Sequence, residues 1–99
     1  MSIDREIRDF IESQIDAVLN DPAEIEIYTK VLLKVTGVKP NVDTVLSFIL
    51  GMIWGACDML VRDKYKRAPT SEDFAGIIPL MNRRLNELRD AFMNLRLDV

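Results

Sequence analysis

Between Thr44 and Cys57 the chain runs through fourteen residues, TVLSFILGMIWGAC, without a charge. As a helix this run spans roughly 21 Å, against roughly 30 Å for the hydrocarbon core of a bilayer. Asp43 and Asp58 bracket it. The pattern predicts a buried core helix over about 42–66, capped by Asn41 or Asp43. At 100° per residue one face collects Val42, Val45, Leu46, Ile49, Met52, Ile53, Ala56, Met59 and Leu60. The opposite face carries Thr44, Ser47, Gly51, Gly55, Asp58 and Arg62, with Phe48, Leu50 and Trp54 beside it. Glycine inside a helix costs roughly 1 kcal/mol relative to alanine. Two glycines one turn apart therefore imply either that another helix approaches closely, within the chain or across a dimer, or that Gly51 and Gly55 form the floor of a ligand crevice with Trp54 as its wall.

The other segments read as helices by the same periodicity. Ile3, Ile7, Phe10, Ile11, Ile15, Val18 and Leu19 mark a first helix over about 3–19, with Ser2 as its cap. At Asn20-Asp21-Pro22-Ala23-Glu24 the pattern breaks. There Asp21 is placed to cap, Pro22 to open the next helix and Glu24 to reach back as the other half of a capping box. The second helix, about 22–36, is expected to bury Ile25, Tyr28, Val31, Leu32 and Val35, with Ile27 and Leu33 widening that face, and Gly37 is suited to end it. Val31–Val35 has strand-like composition, but a single strand has no pairing partner here.

After Ala68-Pro69 a fourth helix is predicted over about 71–95, capped by Thr70 or Ser71, with a break or kink near Pro79. Phe74, Ile78, Met81, Leu85, Leu88, Phe92 and Leu95 recur at steps of 4, 3, 4, 3, 4 and 3, a regular 3.5-residue seam that needs a partner helix. The whole reads as an all-α, antiparallel, single-domain bundle of four main helices with 42–66 at its centre. Two sticky surfaces point to a homodimer, or to a subunit of a larger protein assembly. The interface candidates are Ser47, Gly51, Gly55, Met81, Leu85, Leu88 and Phe92.

Composition narrows the chemistry. With 99 residues, 48% hydrophobic and 29% charged, the chain has a globular balance. Its net charge of −3 gives no general attraction to nucleic acid. Charge is uneven: residues 1–29 hold eight acids and two bases, whereas eleven bases follow position 29. There is no histidine and one cysteine, Cys57, so an intrachain disulfide, a His-based metal site and a Ser–His or Cys–His nucleophile are excluded. Phosphate-cradling glycine loops and calcium loops are absent from the sequence. No catalytic residue, metal ligand or cofactor is therefore assigned.

The expected activity is that of a non-enzymatic interaction or assembly protein, in the cytoplasm because the charged start MSIDREIRDF does not resemble a secretory signal. Two alternatives have their own residues. An anionic small molecule between helices would use Trp54, Asp58, Arg62, Arg83 and Arg84. Weak nucleic-acid binding would use the basic run 62–67 with Arg83 and Arg84. A membrane span is disfavoured by the shortness of the central run.

Overall fold

The computed structural model describes residues 5–39 and 41–93, which form four helices and no strand. These are α1 (Arg5–Asn20), α2 (Pro22–Thr36), α3 (Val42–Tyr65) and α4 (Ser71–Met93). The expected cap Ser2 and the expected apolar positions Ile3 and Leu95 lie outside the described residues.

Local chemistry accounts for the boundaries. Only Asp21 separates α1 from α2, and Pro22 opens α2 where its missing N–H removes a donor that would have no helical partner. The capping box expected there does not form. Asp21 makes no side-chain cap bond, and Glu24 instead accepts from the Tyr28 hydroxyl at 3.4 Å. Gly37 ends α2 at φ 74°, its N–H donating to the Leu33 carbonyl at 2.8 Å. Asn41, rather than Asp43, caps α3: its Oδ1 accepts from the Thr44 N–H at 2.9 Å and from the Thr44 hydroxyl at 3.1 Å. Lys66 ends α3 in the left-handed region at φ 56°. The start of α4 is a reciprocal box, in which the Thr70 N–H donates to Asp73 Oδ2 at 2.8 Å and the Asp73 N–H to Thr70 Oγ1 at 3.2 Å. Of the break or kink expected near Pro79, the break does not occur, and α4 is helical throughout. Pro79 is exposed, so water can satisfy the Ala75 carbonyl that the proline leaves without a donor.

Helices α1, α3 and α4 pack on one another, and α2 packs chiefly on α1. The core is Ile7, Ile11, Ile15 and Val18 of α1, Val45, Leu46, Ile49, Ile53, Cys57 and Val61 of α3, and Ile77, Leu80, Leu88 and Phe92 of α4, joined by Ile25 of α2. Thr29 is buried in α2 and is satisfied by donating to the Ile25 carbonyl at 2.6 Å.

Three expected faces are covered only in part; in α3 the expected Val45, Leu46, Ile49 and Ile53 are buried. Helix α2 buries the expected Ile25 and Leu33 together with Thr29, and leaves Ile27, Tyr28, Val31, Leu32 and Val35 outside. Its apolar residues surround so much of the helix that periodicity does not select the covered side. In α3, Met52 and Met59 lie outside, while Cys57 and Val61 enter the core. In α4 the buried residues include Ile77 and Leu80, which are off the 3.5-residue seam. The seam is consequently divided: Leu88 and Phe92 are fully buried within the chain, and Phe74 and Ile78 are exposed.

Candidate interaction surface

The uncovered half of the seam lies beside α3. Phe74, Ile78, Met81 and Leu85 of α4 face Leu50, Gly51 and Trp54 of α3 across an open groove of about 410 Å³, with Asn82 as its one polar lining residue. The Trp54 and Phe74 rings meet edge to face at 87° with centroids 4.6 Å apart, which gives the groove an aromatic wall. No lining residue is charged.

Gly51 and Gly55 sit on the solvent side of α3. A Cβ at either position would meet no atom within 4 Å. Close approach of another helix of the same chain, one of the reasons the sequence offers for them, is therefore excluded among the described residues. Ser47 is exposed on the same side. Of the sequence-derived interface candidates, Ser47, Gly51 and Gly55 are open, and Met81 and Leu85 line the groove half-buried. Leu88 and Phe92 are core residues that offer no surface to a partner. Sequence reasoning did not select Leu50, Phe74, Ile78 and Asn82, although Phe74 and Ile78 belong to the seam and Leu50 flanks the glycine stripe.

The arginines nominated for an anion lie elsewhere. Arg84 is largely covered at the α1–α4 junction. Its Nε donates to Glu87 Oε2 at 2.6 Å, and its Nη1 lies 2.8 Å from Asp16 Oδ1 and 3.1 Å from Glu12 Oε2. Glu87 first, then Asp16, raise its pKa against the opposing effect of burial. Arg83 Nη2 reaches the other oxygen of Glu12 at 3.2 Å. These contacts fasten the acidic first helix to the basic part of α4, and the uneven charge along the sequence was the visible sign of them. Asp58 and Arg62 pair with each other at 2.9 Å near the surface. Trp54 thus lines the groove without Arg62, Arg83 or Arg84.

The basic run after α3 is also paired. Lys64 meets Glu6, Lys66 meets Asp63, and Arg67 Nη1 meets Asp73 Oδ2 at 2.7 Å. Arg67 also lies 5.1 Å from the centre of the Tyr65 ring. The Arg67 hydrogen bond, followed by the Thr70 N–H, holds the Asp73 carboxyl down at about 2. With carboxylates on these bases, the run presents less positive charge to a phosphate backbone than its sequence suggests.

Burial pushes the Cys57 thiol up to about 11, which suits an inert core residue. Among the described residues no group of three or more acids or cysteines could hold a metal ion. Helix α3 is the one described helix long and apolar enough to cross a membrane, by length and composition alone. It also supplies six buried residues of the core. No protein-family model, curated protein or solved structure matches the chain.

Proposed function

We propose that this chain is a small non-enzymatic interaction protein that self-associates through its open α3–α4 face, either as a homodimer or within a larger assembly. The observation supporting this reading is the uncovered half of the α4 seam beside two helix glycines, at which an added Cβ would meet nothing among the described residues. Apolar side chains gathered along a groove favour association by burial, at roughly 25 cal/mol per Å² of apolar surface removed from water. The proposal includes a detergent-free, cytoplasmic protein. Native mass spectrometry without detergent tests it, with a species of twice the 11.4 kDa chain mass expected. A monomer at every concentration, or a chain that stays in solution only with detergent, refutes it.

One observation favours a second reading, the uncharged aromatic lining of the groove. A small molecule seated there would be apolar and neutral rather than the anion expected from the arginines. It would change the fluorescence of Trp54, the chain's single tryptophan, and a flat response across a panel of neutral apolar compounds refutes this alternative.

A further inference from the structure

We infer that the occupant of the open α3 face is a second copy of this chain, lying antiparallel across a two-fold axis between Met52 and Ile53. The inference rests on the self-association reading and adds its geometry. Asp43, Ser47, Gly51, Trp54, Asp58 and Arg62 form one stripe of α3 at steps of 4, 4, 3, 4 and 4, which reads the same from either end. None of these six residues is buried, whereas Val45, Leu46, Ile49, Ile53, Cys57 and Val61 of the same helix are.

The same order of steps makes the stripe self-complementary when reversed. Asp43 meets the partner's Arg62, Ser47 meets the partner's Asp58, and Gly51 meets the partner's Trp54. Each meeting joins unlike chemistry: a carboxylate with a guanidinium, a hydroxyl with a carboxylate, and a recess with an indole. At Gly51 the recess is real, since a Cβ there would touch nothing within 4 Å. Asp43 is exposed. Arg62 is 58% exposed at its side chain while bound to Asp58 through Nε, so its terminal nitrogens have access to a second carboxylate. A parallel arrangement sets Asp43 on Asp43, Arg62 on Arg62 and Trp54 on Trp54. Like charges facing across an interface oppose association, and antiparallel helix dipoles favour it. The exposed edges of Phe74 and Ile78 extend the contact along the groove rim.

Thiol cross-linking tests the orientation. Ser47→Cys and Asp58→Cys chains are purified separately, with native Cys57 retained because it is fully buried. A short bismaleimide is expected to join the two variants when they are mixed and to join neither variant to itself. In the antiparallel pair the two copies of position 47 stand about 16 Å apart along the axis. Dimerisation with Ser47→Cys cross-linking to itself indicates a parallel pair and overturns the geometry while leaving self-association intact. A dimer giving no cross-link in any mixture uses another face and also overturns the geometry. A monomer, with or without bound mass, overturns both readings. As an independent check, Arg62→Glu is expected to weaken the dimer roughly tenfold, and adding Asp43→Arg to restore it. An affinity unchanged by Arg62→Glu, or not restored by the second reversal, overturns the assigned pairing.

Discussion

Replacing both helix glycines by alanine separates folding from association. In Gly51→Ala/Gly55→Ala each new methyl group enters space with no atom within 4 Å, so no packing penalty opposes the gain in helix propensity. That gain is about 0.8–1.0 kcal/mol per site, or about 2 kcal/mol for the pair if the sites add. For a chain of 99 residues this raises the melting temperature of the monomer by about 8–16 °C. The measurement is thermal and urea unfolding by circular dichroism, at dilutions where the wild-type chain is monomeric by native mass spectrometry. At high concentration the same variant is expected to dimerise less well, because the methyl groups narrow the recess offered to the partner's Trp54. The two effects have opposite signs, and concentration tells them apart. A double variant less stable than wild type as a monomer would refute the reasoning, since it would require the glycines to be packed within the chain.

Three further changes probe the fold. Phe92→Ala empties a fully buried position and is expected to cost about 3–5 kcal/mol in urea unfolding, enough to leave a domain of ordinary stability largely unfolded on mild heating. Lys66→Gly relieves a left-handed residue at the end of α3 and should stabilise the chain by about 1 kcal/mol, with no change in dimer affinity. The Asp73 carboxyl is held at about 2 against an ordinary 3.8, so its contribution is complete above 3.8 and is lost as pH falls through about 2. Asp73→Asn should therefore cost about 1 kcal/mol at neutral pH and flatten the acid limb of a urea-midpoint profile, whereas an unchanged limb would show that the box does not contribute.

Helix ends were legible in the sequence because the groups that set them are neighbours along the chain. Pro22, Gly37, Asn41 with Thr44, and Thr70 with Asp73 each act within about one turn, so residue identity and spacing suffice. Ile7, Ile11, Ile15 and Val18 were legible for a related reason: α1 is apolar on one side and charged on the other, and only one orientation buries the apolar side. Helices α2 and α3 are apolar over too much of their circumference for that argument to work. Which side they cover depends on how much of them the neighbouring helices reach. Tertiary packing thus placed Val35 in water, Cys57 in the core and both glycines outside.

The same competition divided the α4 seam. A 3.5-residue repeat drifts around a straight helix of 3.6 residues per turn, so one flat partner surface cannot cover it from end to end. Contact with α1 and α3 captured Leu88 and Phe92, together with the off-seam Ile77 and Leu80, and left Phe74 and Ile78 at the groove. Arg84 shows how far local sequence can mislead about charge. It is polar and off the seam, yet Glu12 and Asp16, about seventy positions earlier, converge on it and hold it at a helix junction. Local sequence determined where the helices begin and end. The folded arrangement decided which apolar residues remain outside, because burial is shared among distant segments and no helix contains the information by itself.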